Sequence, residues 1–395
     1  MRPLEGIRVL DLSRLIPGPF ATLLLADMGA TVDKVEDPGP GDYLRHFPPQ
    51  VAGASGAFQA LNRGKRSLVL DLKAPEGRDA FLALLPGYDV LLEQFRPGVL
   101  DRLGLSHASL RQRFPGLVIC ALSGYGQTGP LAQRAGHDLN YLARAGVLGF
   151  HGPADGPPQV PGFQVADVGG ALYAALAIVG ALRVRDKTGQ GDLLDIALAD
   201  APLGFSSVAY GAVFAGEPPA RGAEALSGGL AIYATYETKD GGHVAFGALE
   251  PKFYKVFAEA NGLPFEMGAF LVGPHQIALR EVIAGVFRGR TRAEWETFAL
   301  THDCCIEPVL RPDELRADPH LQARGAFFDL SVDGQLVGQF RTPVTPRDVT
   351  FSPPPRAGEH TRAILAEAGL DEATIEKLLA AGVISVAKPN AAKLG

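Results

Sequence analysis

Short apolar runs alternate with longer helical segments along the first half of the chain. Runs rich in Val, Ile and Leu predict strands at residues 7–12, 31–35, 67–72, 89–93, 117–122 and 193–197. Helices are predicted between them at residues 20–28, 75–85 and 169–185. Strands that alternate with helices build open parallel sheets. Residues 1–200 are therefore predicted to form a large α/β domain with a Rossmann-like, open parallel sheet.

The pattern changes in the second half of the chain. Residues 201–229, which become rich in Gly, Pro and Ala, are interpreted as a linker, and residues 230–329 as a smaller α+β domain. That domain is predicted to contain a hairpin formed by residues 232–237 and 243–247. Three helices are predicted after it, at residues 251–261, 275–288 and 291–301. Residues 330–395 add helices at 358–369 and 371–381, the second with Asp371 as its N-cap, and are assigned to the large domain.

Composition narrows the class of protein. The chain has 395 residues with 37 Lys and Arg against 43 Asp and Glu, a net charge of −6. A nucleic-acid partner is not expected, because such binding requires a basic face. The three cysteines are an odd number with no metal-binding spacing, which favours a reducing, cytoplasmic compartment. Because no metal-binding spacing appears, no metal is expected. Neither a secretory signal nor a membrane-spanning run is apparent, so no membrane partner is expected.

The clearest candidate site is a histidine loop followed by an aspartate. His137 and its neighbours Gly136 and Asp138 come after a glycine-rich turn that follows a predicted strand. Open parallel sheets bind ligands at the carboxyl ends of their strands. Asp167 precedes an apolar helix, whose N-terminus favours a carboxylate in its anionic form. Ordinary structural roles remain open for both residues: an N-cap for Asp167, and a backbone-bonding loop imidazole for His137.

Seven segments in order resemble one known family along nearly the whole chain. The sequence resembles the family III CoA-transferase superfamily, of the CaiB/BaiF type, which also contains the α-methylacyl-CoA racemases. The segments are residues 6–12, Pro17-Gly18-Pro19, Asn62-Arg63-Gly64-Lys65-Arg66-Ser67, Phe95-Arg96-Pro97-Gly98-Val99, Gly124-Tyr125-Gly126-Gln127, Thr188-Gly189-Gln190-Gly191 and Gly358-Glu359-His360-Thr361. The triplet Gly136-His137-Asp138 resembles the racemase branch specifically.

The resemblance implies specific roles in the racemase branch. His137 and Asp167 would be the two acid/base groups, and Glu250 would support the histidine from the small domain. Gly136 and Asp138 would bind the substrate, with the backbone N–H of Asp138 donating to the enolate oxygen. The alternative for Glu250 is an N-cap or first-turn acid before the proline that follows it.

Such roles agree with the chemistry of a thioester, which acidifies the hydrogen on its α-carbon. Racemisation removes this proton from one face and returns a proton to the other, so two bases must flank the carbon. One of them must start protonated. Histidine changes charge near neutral pH, whereas the pKa of an aspartate must be raised by burial or by a shared proton network.

Four basic residues are candidates for binding the phosphates of CoA. They are Lys65, Arg66, Arg96 and Arg102, which lie beside predicted strand ends, and ordinary solvated surface is an equal alternative for each. The resemblance implies CoA binding for Arg96 and Arg102. One departure from the family pattern is Asp37, since relatives often carry an arginine there. An acidic side chain would repel phosphate, and this contact is therefore in doubt.

The favoured function is that of an α-methylacyl-CoA racemase. One alternative is a CoA-transferase in which Asp167 forms an anhydride and then a thioester. A second alternative is a relative that binds acyl-CoA without chemistry. No cofactor is expected beyond the CoA moiety of the substrate. The resemblance further implies an interlocked homodimer.

Overall fold

The computed structural model describes residues 2–387, and fourteen strands and sixteen α-helices are assigned in this range. Residues 388–395, which the sequence analysis places in the large domain, lie outside it. The strands are β1 Arg8–Asp11, β2 Thr31–Glu36, β3 Gln50–Val51, β4 Ala54–Ser55, β5 Lys65–Leu70, β6 Val90–Glu93, β7 Val118–Ser123, β8 Leu193–Ala197, β9 Tyr233–Glu237, β10 His243–Gly247, β11 Ile306–Pro308, β12 Phe327–Val332, β13 Gln335–Phe340 and β14 Ile384–Ser385.

The α-helices are α1 Pro17–Asp27, α2 Gly56–Leu61, α3 Pro75–Leu84, α4 Val99–Arg102, α5 His107–Arg113, α6 Asp138–Arg144, α7 Val147–Phe150, α8 Val165–Thr188, α9 Ala201–Phe205, α10 Ser207–Phe214, α11 Pro251–Ala260, α12 His275–Phe287, α13 Arg292–Thr301, α14 Pro319–Ala323, α15 Thr361–Glu367 and α16 Glu372–Ala380. Asp371 is the N-cap of α16, as expected, and its carboxylate accepts from the N–H of Thr374.

The chain divides into two compact units. The first contains the residues up to Tyr141, Phe163–Gly204 and the residues from Pro319 onward, and the second contains Leu142–Gly162 and Phe205–Asp318. These limits differ from the 201–229 linker and the 230–329 domain of the sequence analysis. Helices α9 and α10 lie within the predicted linker. Richness in alanine does not argue against helix, because alanine is the strongest helix former.

The first unit is built on a seven-stranded sheet with the order β14-β5-β2-β1-β6-β7-β8. Six strands are parallel, and β14 pairs antiparallel with β5. The parallel strands follow the 3-2-1-4-5-6 order of dinucleotide-binding folds. The α/β prediction is therefore confirmed, with the difference that the sheet is mixed, because the chain adds a short edge strand near its end.

Both faces of this sheet are covered, which explains why its strands have continuous apolar sequences. Strands β6 and β7 are buried along their whole length. One face packs against helices α3, α5, α15 and α16, which contribute residues such as Phe81, Leu110, Ile364 and Ile375. Helices α1 and α8 pack against each other, and α8 also contacts β7 and β8.

Helix α8 is long and apolar enough to cross a membrane by length and composition alone. Core helices of soluble proteins pass the same test. In the first unit one side of α8 is buried through residues such as Ala174 and Ile178, whereas Leu172 and Leu176 are exposed. The apolar sequence of α8 is thus partly accounted for by packing.

The second unit contains a three-stranded antiparallel sheet in the order β11-β10-β9. Strands β9 and β10 form the predicted hairpin, with Val244 opposite Tyr236. Helices α11, α12 and α13 supply the aromatic core of this unit, in which Phe287 lies between Phe257 and Trp295 with ring centroids 5.3 and 4.8 Å away.

Candidate active site

A cavity of about 560 Å³ opens at the carboxyl ends of strands β1, β6, β7 and β8. This volume is in the usual range for small-molecule sites, about 300–1,000 Å³. The strand order reverses between β1 and β6, where open α/β sheets bind their ligands. The lining residues are Arg14, Leu15, Pro17, Tyr43, Gln94, Phe95, Arg96, Pro97, Val99, Ser123, Gly124, Ala132, Arg134, Ala135, Gly136, His137, Tyr141, Asp167 and Leu198.

His137 lines this cavity from the loop between β7 and α6. The hydroxyl of Tyr141 donates to the carbonyl of Gly136 at 2.7 Å, and the Tyr141 ring packs edge-on against Tyr125. A Cβ atom at Gly124 would lie 2.5 Å from the Tyr141 hydroxyl oxygen, and one at Gly136 would lie 2.7 Å from its ring. Both glycines are therefore needed for Tyr141 to hold the histidine loop this closely.

The first turn of α6 fixes the backbone of His137. Its N–H donates to Asn140 Oδ1 at 3.0 Å, and its carbonyl accepts from the N–H of Asn140 at 2.8 Å. His137 thus stands at the N-cap position of the helix, a place where the chain leaves loop geometry and becomes helical. The imidazole itself is exposed.

Asp167 lies in the first turn of α8 and is half-buried. Burial, and then the negative charge of Asp138, raise the pKa of Asp167 to about 7. The N-terminus of a helix alone would lower this pKa by favouring the anion. Loss of solvation therefore outweighs the helix dipole at this position, and the raised pKa agrees with the burial that the two-base chemistry requires of this aspartate.

A hydrogen-bond pair joins the two candidate residues through Asp138. Its Oδ1 accepts from the N–H of Ala166 at 2.7 Å and from the N–H of Asp167 at 3.0 Å. Asp138 is also the residue directly after His137 in the chain. The start of α8 and the histidine loop are thus held by one carboxylate.

Lys65, predicted to bind CoA, is buried inside the first unit. Its Nζ donates to the carbonyl of Pro19 at 2.9 Å and to Asn62 Oδ1 at 3.0 Å, and it lies 3.8 Å from the carboxylate of Asp11. Lys65 is not among the residues that line the cavity. Its charge is engaged within the fold.

Arg66 also has protein partners. Its guanidinium pairs with Asp33 at 2.6 Å and with Glu367 at 2.6 Å, and these contacts help raise its pKa above the usual arginine value. Like Lys65, it is not a lining residue of the cavity. Because the guanidinium of Arg66 already donates to two carboxylates, its charge is offset and its N–H groups are largely occupied, which makes it a poor phosphate ligand.

The other two predicted arginines have different positions. Arg96 lines the cavity from the loop after β6, whereas Arg102, at the end of α4, does not. Two lining arginines, Arg14 and Arg134, are absent from the sequence-based set. Arg14 could have been found from its position just past a predicted strand, at the ligand-binding edge of the sheet. No sequence signal marks Arg134.

A smaller cavity of about 170 Å³ shares Arg14, Phe95 and Val99 with the larger one. Its walls are mainly apolar, and the charged residues at its edge include Asp37 and Lys73. Asp37 Oδ1 accepts from the N–H of Gly39 at 2.8 Å, so this carboxylate is held in its own turn. The acidic residue singled out from the sequence does lie at a cavity wall.

Glu250 belongs to the second unit and is the N-cap residue of α11. Its side chain is exposed and makes no capping hydrogen bond to the helix. Glu250 thus occupies the N-cap position that the sequence allowed, without the side-chain hydrogen bond of a cap. Within residues 2–387, no group of three or more His, Cys, Asp or Glu side chains is placed to hold a metal ion.

Comparison with known families decides the ancestry of the chain. The family model described as CoA-transferase family III matches residues 4–361. The chain belongs to CoA-transferase family III. The resemblance inferred from seven short segments is thereby confirmed.

Curated relatives of this family III chain include both isomerases and transferases. It is 37% identical to the α-methylacyl-CoA racemase of Homo sapiens, over 98% of this chain and 99% of that protein. It is 34% identical to the succinate–glutarate CoA-transferase of Agrobacterium fabrum, over 92% of this chain and 95% of that protein. These identities are close together, so similarity alone does not separate the two reactions.

Solved structures of family III give the same fold. A CAIB/BAIF family protein from Brucella suis matches with a TM-score of 0.79 and 31% identity, covering 93% of this chain and 99% of that one. Rv3272 from Mycobacterium tuberculosis matches with a TM-score of 0.78 and 27% identity, covering 92% and 99%. The family III fold thus extends over nearly the whole chain.

Proposed function

We propose that this protein is an α-methylacyl-CoA racemase-type enzyme that epimerises the 2-position of a branched acyl-CoA. The observation that carries the proposal is that His137 and Asp167 line one cavity. The pKa of Asp167, about 7, also supports it, because such a carboxyl group can hold or release a proton near neutral pH.

In the proposed mechanism, one of the two residues removes the proton from C2 of the thioester. The electron pair of the broken C–H bond moves into an enolate, and its oxygen is stabilised by the backbone N–H of Asp138. The other residue then donates a proton to C2 from the opposite face. No net charge is gained, and the proton removed and the proton added are different ones, which makes the reaction visible in D₂O.

The three exposed arginines of the cavity are assigned to the phosphates of CoA. Arg14, Arg96 and Arg134 come from three separate loops around the same opening. Guanidinium groups bind phosphate through paired hydrogen bonds, so an exposed arginine is better suited than the buried Lys65. The adjoining apolar cavity of about 170 Å³ is assigned to part of the nucleotide.

Glu250 completes the proposal. Its exposed carboxylate, free of a capping bond to α11, is assigned to His137 of a second copy of the chain. This arrangement requires a homodimer. Sedimentation of the protein at micromolar concentration should give the mass of two chains, and a monomer with full activity would contradict the assignment of Glu250.

The decisive experiment follows the α-proton of (2R)-2-methylacyl-CoA in D₂O by NMR. The protein should exchange this proton for deuterium and convert the substrate into a mixture of both epimers. His137→Ala should slow exchange by at least about 100-fold, the lower limit for loss of an acid/base group. The control is His320→Ala, since His320 is exposed and not a cavity residue.

The main alternative is a CoA-transferase, which the similar identity to the Agrobacterium fabrum enzyme supports. In that reaction Asp167 Oδ attacks the donor thioester, CoA leaves as thiolate, and the resulting anhydride is then opened by CoA. Incubation with a donor acyl-CoA and a free carboxylate, followed by mass spectrometry of the peptide with Asp167, should detect a CoA adduct. Such an adduct without deuterium exchange would overturn the racemase proposal. Binding with neither activity would indicate the non-catalytic relative.

A further inference from the structure

The Asp138 side chain hydrogen-bonds to the backbone of one candidate acid/base residue, Asp167, and Asp138 directly follows the other, His137, in the chain. Through its peptide bond it continues directly from His137, and through Oδ1 it accepts from the N–H groups of Ala166 and Asp167 at 2.7 and 3.0 Å. It is half-buried, so its contacts are partly protected from water. A single side chain therefore spans the gap between the histidine loop and helix α8.

These hydrogen bonds also change the electrostatics at the start of α8. The first N–H groups of a helix have no partner within the helix and carry a partial positive charge. That charge would stabilise an ionised Asp167. Because the carboxylate of Asp138 accepts from two of these N–H groups, the helix end favours an ionised Asp167 less than a free helix N-terminus would.

We propose that Asp138 is a positioning residue whose side chain fixes the spacing of His137 and Asp167 and places a second negative charge beside the Asp167 carboxyl group. This inference rests on the proposed function, since it concerns the same pair of groups. It goes beyond the assignment of the Asp138 backbone N–H to the enolate oxygen. The carboxylate acts through its neighbours and need not touch the substrate.

Other charged and titratable groups line the same cavity as Asp167. They come from the loops after β1, β6 and β7, from the 3-10 helix at Tyr43–His46, and from α6, namely Arg14, Arg96, Arg134, His137, Tyr43 and Tyr141. An arginine close to Asp167 would favour its anion. The causes of its raised pKa, about 7, are instead burial and then the charge of Asp138.

A pair of variants separates the charge of Asp138 from its hydrogen bonds. Asp138→Asn retains an oxygen that can accept from both N–H groups but removes the negative charge. Asp138→Ala removes both. In the exchange assay, Asp138→Asn should shift the limb of the pH–rate profile that reports Asp167 to lower pH by about one unit, a moderate like-charge effect. Asp138→Ala should in addition lower the maximal rate by more than about tenfold, because the spacing is lost.

The proposal can be tested without turnover. Carbon-13 labelling of aspartate carboxyl groups allows the pKa of Asp167 to be read by NMR in the free protein, and Asp167→Asn identifies its signal. Asp138→Asn should lower that pKa, whereas Asp186→Asn, an exposed change in the last turn of the same helix, should leave it unchanged. An unchanged or higher pKa in Asp138→Asn would overturn the inference. If the pKa of Asp167 fell as expected in Asp138→Asn but the protein did not exchange the substrate α-proton for deuterium, only the proposed function would be rejected.

Discussion

Two groups of charged side chains in the first unit differ in how their charges are compensated. The first, called here the buried charge cluster, consists of Asp11, Lys34, Asp42 and Lys65, and all four side chains are at most 1% exposed. The second is the acidic pair Asp138 and Asp167 at the cavity. The cluster mixes acids with bases. The acidic pair brings two carboxylates together at the start of one helix.

The pKa shifts of these groups express the difference. Burial of Asp11 would raise its pKa, but the charges of Lys34 and Lys65, with hydrogen bonds from Ser13 and Thr22, together outweigh this effect and the pKa is lowered. For Asp167 burial also raises the pKa, and its principal charged neighbour, Asp138, raises it further. A buried acid beside cations stays ionised at neutral pH, whereas a half-buried acid beside another acid has its pKa moved toward neutral pH.

The largest expected effect is on the buried charge cluster. Lys34 Nζ lies 2.9 Å from Asp42 Oδ2 and donates to the carbonyl of Ser13 at 2.6 Å. Lys34→Met keeps the length of the side chain but leaves Asp11 and Asp42 with less compensation. We expect the free energy of unfolding to fall by about 3–5 kcal/mol in urea titrations, as when one partner of a buried ion pair is removed.

The matched control is a lysine of an exposed ion pair. Lys255 lies 3.7 Å from Glu259 on helix α11, and both side chains are more than half exposed. Lys255→Met should change stability by less than about 1 kcal/mol. If Lys34→Met had an equally small effect, the buried charges would not be a structural cluster, and the contrast with the acidic pair would fail.

Much of the fold could be predicted because strands that are buried on both faces of the sheet have continuous apolar sequences. Strand β8 was predicted with its observed bounds. The hairpin of β12 and β13 was missed, although Asp333 and Gly334 at its turn have φ of 48° and 81° and Asp-Gly is a typical hairpin turn. The two-residue strand β14 has no such signal, since its pairing with β5 depends on distant parts of the chain.

The candidate site could be predicted only in part. His137 and Asp167 were found through motifs, and they do line one cavity. The basic residues were harder, because a sequence does not tell whether a lysine at the start of a strand points inward. Lys65 is buried beside Asn62 and Pro19, whereas Arg14, which no motif marks, lines the cavity.

A second prediction concerns acid pH and Glu36, which is buried beside the cluster and accepts from Arg45 at 2.6 and 2.8 Å. Burial opposes ionisation of Glu36, but Arg45 outweighs it, and the pKa falls to about 2 from an ordinary 4.5. The resulting stability is complete above pH 4.5 and is lost as the pH falls through 2. Between pH 5 and 2, the stability advantage of the wild type over Glu36→Gln should shrink by about 2–3 kcal/mol.

The control for this prediction is Glu372→Gln, because Glu372 pairs with Arg362 in an exposed contact. Its effect should stay below about 0.5 kcal/mol across the same pH range. A stability advantage over Glu36→Gln that does not change with pH would mean that Glu36 gains nothing from Arg45 as an anion. The contrast between the acidic pair and the buried charges that have cationic partners would then fail.

The smallest effect tests the other half of the comparison, the cost of Asp167 to the fold. Its pKa is about 7 in the folded protein against an ordinary 3.8, so ionisation is less favourable when the chain is folded. Stability from this group is complete below pH 3.8 and is lost as the pH rises through 7. Asp167→Asn resembles the protonated acid, and we expect it to be more stable than the wild type at pH 8 by about 1–2 kcal/mol, after allowance for solvent exposure and for the lost helix-dipole interaction.

The gain should disappear at pH 4, where the wild-type carboxyl group is protonated in the folded protein. Asp186→Asn, on the exposed last turn of α8, should show no such dependence between pH 5 and 8, because Asp186 is solvated in both states. Thermal unfolding of the three proteins at several pH values measures the difference. If Asp167→Asn were instead less stable than the wild type at pH 8, Asp167 would be an ordinary first-turn acid that stabilises its helix. The contrast between Asp167 and the buried charge cluster would then fail.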